Sequence, residues 1–154
     1  MVCDSDTGSA RLHLSVELAR VVDFFEHIDV AAVGRLDQIY ADHACFKDPF
    51  NEVQGIEAIR QIFGHMFIQV EKPRFAVIEA VQQGNQAFLT WDFTFRMKRF
   101  DARTTQTIRG ASHLRFAVDG RVEMHRDYWD AAEELYEKLP LLGGLMRWLK
   151  RQAG

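Results

Sequence analysis

Cysteine is scarce in this chain: Cys3 lies in a polar leader and Cys45 in an apparent strand. Two such positions give neither a metal-ligand spacing nor a disulfide framework, so both thiols are expected to be free in a reducing compartment. Positive charge is not in excess either. Lys+Arg number 19 against 22 Asp+Glu, a formal net charge of -3, which leaves no electrostatic footprint for a phosphate backbone and argues against nucleic acid as a partner. The opening MVCDSDTGSARLH lacks the basic start and apolar run of a secretory signal. No downstream stretch approaches membrane-spanning length, so a cytoplasmic protein is expected. The histidines are scattered, with no helical His-x-x-x-His pair and no Cys/His cluster, so no metal and no cofactor are expected.

What is present suits one globular domain with a real core: 154 residues, 47% hydrophobic and 27% charged. Residues 1–13 read as a disordered polar leader, 14–139 as the folded domain and 140–154 as a separate C-terminal segment. Ser15 is placed to cap a helix whose Leu18, Val21, Val22, Phe25 and Ile28 recur at helical spacing. Asp29 is placed to cap a shorter helix carrying Val33, Leu36, Ile39 and Tyr40, and ACFKDPF then reads as a strand stopped by Pro49. Gly55 precedes a third helix with Ile59, Ile62, Phe63, Met66, Phe67 and Val70 on one side, and Pro73 blocks its continuation.

Beyond Pro73 the pattern turns β-like. Arg74–Val81 and Gln86–Phe100 flank a Gln-Gln-Gly-Asn turn, and Gln106–Val118 meets Arg121–Trp129 through Asp119-Gly120, a pair suited to a tight hairpin. Helices ahead of a mostly antiparallel meander predict an α+β fold in which the helices cover one face of the sheet. Long twisted strands curl round such helices into a cone and leave a hollow at its wide end, the usual form of a small-molecule site. Asp130 with Glu133 resembles a capping box for a last helix, which Pro140 and Gly143-Gly144 divide.

The run IYADHACFKDPF, followed by a glycine and an amphipathic helix, and the closing DGRVEMHRDYWD resemble the nuclear transport factor 2-like superfamily. In particular they resemble its ketosteroid isomerase, limonene-epoxide hydrolase and SnoaL-type polyketide cyclase branches, over roughly Val16 to Glu134. The resemblance implies a conical fold with pocket residues on the first helix, the strand after the second helix, and the last two strands. On the isomerase pattern Asp48 falls at the general base and Trp129 at a pocket tryptophan, while the two oxyanion donors are replaced by Phe24 and Ser112. One lost oxyanion donor costs about 2.7–4 kcal/mol of transition-state stabilisation, so steroid isomerisation is not expected. On the epoxide hydrolase pattern Asp127 falls at the water-activating aspartate. That family's tyrosine and asparagine correspond to Phe46 and Asp48, and its arginine-aspartate pair falls near Trp91 and Phe93.

Strand alternation independently places His125, Asp127 and Trp129 on one face, with successive side chains about 6.6–6.8 Å apart. Desolvation in an apolar hollow favours a protonated carboxyl and a neighbouring imidazolium favours the carboxylate, so this pairing suits a tunable base. The plain alternative is a structural hydrogen bond from Asp127. For Asp48 the plain alternative is a turn, because Asp before Pro commonly caps local backbone. Trp91, Phe93 and Phe95 at strand spacing read as core, interface or pocket wall, alongside Tyr40 and Phe46.

The terminal LPLLGGLMRWLKRQAG is amphipathic and basic. It suits packing on its own domain or a partner subunit, with a membrane surface as the lesser alternative. Aromatic residues on the outward face of the long strands suggest a two-fold homodimer through the sheets. The function expected is proton-transfer chemistry (isomerase, hydrolase or cyclase type) on a small, mainly apolar, oxygen-bearing molecule. Asp127 or Asp48 serves as base and His125 as its tuner. A non-catalytic carrier of an apolar metabolite and a protein-interaction module are the alternatives.

Overall fold

Helix caps written into the sequence set the first elements of the computed structural model, which describes residues 14–99 and 102–136. Helix α1 (Val16–Glu26) starts at Ser15, whose Oγ accepts from the Leu18 N–H at 3.1 Å. This satisfies one of the donors a helix start leaves open. Its stripe of Leu18, Val21, Val22 and Phe25 is buried, each side chain contributing roughly 1.5–3 kcal/mol by leaving water. Helix α2 (Val30–Val33) is a single turn capped by Asp29, which accepts from the Ala32 N–H at 2.6 Å.

The spacing that predicts a helix through Tyr40 is overridden. The chain tightens into a 3₁₀ turn over Leu36–Gln38, and Tyr40 opens strand β1 (Tyr40–Lys47). The cause is tertiary: Val122 N–H donates to the Ile39 carbonyl at 2.8 Å, and Tyr40 pairs in register with Val122. Strand pairing outweighs the weak preference of a segment too short to be a stable helix. Arg121 reinforces the corner by donating to the carbonyls of Asp37 and Tyr40.

Strand β2 (Glu52–Gln54), too short to show alternation in sequence, folds back antiparallel on β1. Gly55 at φ 94 turns the chain into α3 (Ile56–Gln69), a backbone angle that glycine takes without strain. Ile59 and Phe63 of α3 are buried.

Strand β3 (Val70–Gln83) begins as soon as α3 ends, so Val70 belongs to the sheet and Pro73 lies inside a strand. Pro73 is tolerated because β3 is an edge strand and the pairing slips between Glu71 and Arg74, where no ladder N–H is needed. A second irregularity between Val77 and Glu79 frees the Val77 N–H, which donates to Glu26 Oε1 of α1 at 2.9 Å.

Strands β4 (Gln86–Met97), β5 (Gln106–Phe116) and β6 (Val122–Tyr128) complete the meander. Its tight turns use Gly84 at φ 58 and Gly120 at φ 81. The sheet order is β2-β1-β6-β5-β4-β3, antiparallel throughout except for a parallel β1–β6 seam. The meander is visible in sequence; the seam that brings β1 beside β6 is not. The result is an α+β fold with a strongly curved, six-stranded mixed sheet.

Trp91, Phe93 and Phe95 all turn into the core, with Phe93 stacked between Phe75 and Phe95 at centroid distances of 4.3 and 5.0 Å. The outward face carries a different aromatic set. Phe88 stacks on His113 at 4.3 Å, and the Arg126 guanidinium lies 4.7 Å from the Tyr128 ring centroid. After β6, Asp130 accepts from the N–H groups of Ala132 and Glu133 at 2.9 and 3.2 Å and starts a π-helical turn over Ala132–Tyr136. The predicted leader, the domain limit at residue 139 and the basic helix over 140–154 lie outside the described residues. Among the described residues no helix is long and apolar enough to cross a membrane.

Candidate active site

Antiparallel register assembles the site. Ser112 on β5 sits directly opposite Asp127 on β6, and Leu114 sits opposite His125. On the other side of β5, Leu89 and Trp91 of β4 register with Ser112 and Gly110. Alternation then turns Trp91, Ser112, His125 and Asp127 to the helix-covered face. All four line one hollow together with Val21, Val22 and Phe25 of α1, Phe63 of α3, and Phe75, Val77, Leu89 and Leu114 of the sheet.

These polar groups form one directed chain of hydrogen bonds. Trp91 Nε1–H donates to Ser112 Oγ at 2.8 Å, and the Ser112 hydroxyl donates to Asp127 Oδ1 at 2.5 Å. His125 Nε2 lies 2.7 Å from the same Oδ1 and 3.3 Å from Ser112 Oγ. On the far side of the ring, His125 Nδ1 is 2.6 Å from the Tyr40 hydroxyl. Nε2 is thus the ring nitrogen that faces Asp127, and Nδ1 the one that faces Tyr40. Ser112 and His125 are nearly inaccessible, at 4% and 5% exposure, whereas the Asp127 side chain is 18% exposed. Among the described residues no buried side-chain nitrogen or oxygen lacks a partner. Burial, reinforced by the nearby Asp127 charge, holds the Tyr40 phenol well above its ordinary pKa.

Gly110 makes this geometry possible. A Cβ built there would lie 2.4 Å from the Trp91 six-membered ring, so the bare glycine leaves the space that the indole occupies as it reaches Ser112 two residues along. The hollow itself is small, about 30 Å³. A water needs about 10–15 Å³ by the same measure, so the space suits about two waters or the reacting end of a larger molecule.

Of the residues singled out in sequence, Asp127, His125, Ser112 and Trp91 come together in the hollow. Tyr40 joins them through His125 rather than by lining the space. Phe46 is buried with its ring 5.0 Å from that of His125, and Phe93 is buried two residues along β4 from Trp91, on the same core-facing side. Neither lines the hollow. Phe24 is half-buried with its edge against Phe25, at 5.4 Å, and Trp129 is half-buried against Phe50, also at 5.4 Å.

Asp48 is elsewhere. Its Oδ1 accepts from the N–H groups of Phe50 and Asn51 at 2.7 and 2.6 Å, and the Asn51 amide bonds both of its oxygens. This Asx turn carries the chain past Pro49 and sits outside the hollow. Sequence reasoning did not single out Phe25, Phe63, Phe75 or Gly110 for the site. Phe25 and Phe63 are visible only as members of helical stripes, and nothing local marks Gly110 as the seat of an indole.

Helices against a strongly curved mixed sheet, with a hollow between them, define an NTF2-like fold. The family model for the SnoaL-like domain matches residues 21–125, and the chain belongs to that family. No curated protein matches the sequence. Among solved structures the chain is similar to an NTF2-like protein of unknown function from Burkholderia pseudomallei K96243, with 16% identity and a TM-score of 0.68 over 78% of this chain and 95% of that one. It is also similar to a protein of ketosteroid isomerase-like fold from Catenulispora acidiphila DSM 44928, solved in complex with trimethylamine, with 16% identity and a TM-score of 0.65 over 78% of this chain and 89% of the other. An LEH-like epoxide hydrolase from M. tuberculosis shares 14% identity with a TM-score of 0.61, over 80% of this chain and 81% of the hydrolase. At these identities the likeness is one of fold.

Proposed function

We propose that this chain is a cofactor-independent acid–base enzyme acting on a small, mainly apolar, oxygen-bearing molecule, with Asp127 as its general base. The observation that carries this reading is the inequality of the two Asp127 oxygens. Oδ1 accepts from Ser112 and His125, while Oδ2 takes no hydrogen bond from any described residue although the side chain lines the hollow. Oδ1 is the anchored oxygen and Oδ2 the basic one. Oδ2 takes a proton from substrate or from a water and returns it later in the turnover.

The remaining donors narrow the chemistry. The hydroxyl proton of Ser112 and the Nε2 proton of His125 both point to Asp127, and the Trp91 N–H points to Ser112. None is free to stabilise an enolate, and Phe24, at the position of the isomerase tyrosine, does not line the hollow. This supports water activation, or proton removal from a group already acidic, over dienolate chemistry that relies on an oxyanion hole. Asp48, committed to its turn, is not assigned a catalytic role in this reading.

The test is incubation of the protein with fractionated metabolite extract, followed by mass spectrometry, for wild type and Asp127→Asn in parallel. A compound converted by wild type, and at least about a hundredfold more slowly by the variant, is the expected result. A compound retained and recovered unchanged from both proteins establishes a carrier instead. If nothing is retained or converted, a protein-interaction role takes its place.

A further inference from the structure

We propose that Tyr40 is a positioning residue: its hydroxyl fixes His125 with the ring proton on Nε2, which occupies Oδ1 of Asp127 and leaves Oδ2 as the proton acceptor. This rests on the assignment of Asp127 as base and adds what determines which of its oxygens reacts.

The surroundings of His125 offer few choices. Phe25 of α1 and Phe46 of β1 approach edge-on, with centroids 5.8 and 5.0 Å away at interplanar angles of 80° and 74°. They present only carbon. Polar contacts come from Tyr40 of β1 on Nδ1, and from Ser112 of β5 and Asp127 of β6 on Nε2. Asp127 is the one charged group among these neighbours.

With the proton on Nε2, the imidazole donates to Asp127 and Nδ1 accepts from the Tyr40 hydroxyl, so every donor meets an acceptor. Moving the proton to Nδ1 sets the Nε2 lone pair against the carboxylate at 2.7 Å and leaves the phenol proton without an acceptor on the ring. Protonating both nitrogens strands the phenol proton in the same way, because Tyr40 is 0% exposed and His125 is the hydrogen-bond partner of its hydroxyl among the described residues. An unpaired buried donor is costly, so Tyr40 selects one tautomer and holds it. The phenol, held well above its ordinary pKa by burial, keeps the proton it needs for this.

The fold makes a specific provision for the contact. From Tyr40 to Phe46 is six residue steps along β1, while their partners Val122 and His125 are three steps apart on β6. Regular parallel pairing would carry Tyr40 past the end of β6. The irregularity between Tyr40 and Cys45 absorbs the surplus and brings the phenol alongside His125, with the two ring planes within 11° of parallel.

Long-range ¹H–¹⁵N correlation spectra of protein labelled at histidine test the assignment without any knowledge of the substrate. Wild-type His125 is expected to show a protonated Nε2 and an unprotonated Nδ1 as a single tautomer. Tyr40→Phe, which keeps the ring and removes the hydroxyl that opposes a proton on Nδ1, is expected to show Nδ1 partly protonated. Once a substrate is in hand, its kcat should fall by about tenfold or more with KM little changed, since a misplaced tautomer impairs the step rather than binding. A wild-type ring protonated on Nδ1, or an Nδ1 that stays unprotonated in Tyr40→Phe, overturns the proposal. The wild-type spectrum alone can overturn it even if the variant does not fold. Failure of the general-base reading has a different signature: Asp127→Asn turns over substrate like wild type while the tautomer result stands.

Discussion

Ser112 and Asp127 face each other across the β5–β6 ladder, and the serine hydroxyl donates to Oδ1 at 2.5 Å while accepting from the Trp91 indole at 2.8 Å. One small side chain thus joins the acidic group to the wall of the hollow. Ser112→Ala is expected to lower stability by about 1–3 kcal/mol, because it leaves a buried indole N–H unpaired and deletes a bond to a charged group. Urea denaturation measures this. A loss close to zero would mean that water replaces the hydroxyl. Trp91→Phe in the Ser112→Ala background should recover part of the loss by removing the stranded donor.

Gly110 is a seat rather than a hinge. Gly110→Ala places a methyl group 2.4 Å from the Trp91 ring, so the indole must leave Ser112 or the strands must part. The expected destabilisation is about 1–3 kcal/mol, as for other overpacked cores. A double-mutant cycle with Trp91→Leu should show the two changes to be strongly non-additive. Additivity would show that the glycine serves some other contact.

The two aspartates that stand out in the sequence separate cleanly by substitution. Asp48→Asn keeps an oxygen acceptor for the Asx turn and is expected to retain conversion of substrate, with Asp48→Ala costing roughly 0.5–1.5 kcal/mol per lost turn bond. Asp127→Asn is expected to preserve the fold and reduce turnover by about a hundredfold or more. Comparing kcat for the two asparagine variants on the same substrate decides the matter; equal losses would return Asp48 to the mechanism.

Tyr40 should leave a mark on alkaline stability. Its folded pKa is raised, mainly by burial and secondarily by Asp127, so above the ordinary tyrosine value of about 10 the unfolded chain releases a proton that the folded chain retains. Stability contributed by this group is therefore complete below about pH 10 and declines as pH rises further. Urea midpoints recorded upward from about pH 9 should fall more steeply for wild type than for Tyr40→Phe. Parallel curves would mean that the phenol is solvated when folded.

Much of this architecture is legible residue by residue. Ser15 and Asp29 announce helix starts because a side-chain oxygen beside an apolar stripe has a local task, and both make the expected backbone bonds. Asp119-Gly120 announces a hairpin because glycine alone takes a φ of 81 without strain. Alternation along HRDYWD correctly puts His125 and Asp127 on one face, since that follows from the pleat itself. Tyr40 is the instructive failure. Its spacing from Val33 and Leu36 fits a helix, yet it begins a strand because β6, more than eighty residues away, supplies the pairing.

Sequence alone determined that this chain has amphipathic helices ahead of a long antiparallel meander, and that an aspartate and a histidine two residues apart share the inner face of its last strand. Those are properties of backbone period and local capping, which neighbouring residues decide. Only the tertiary structure decided that Asp48 commits its carboxylate to a turn, that Gly110 makes room for Trp91, and that Tyr40 holds the ring next to Asp127. Each of these depends on register between strands distant in the chain, and register is fixed by the packing of the whole sheet against its helices.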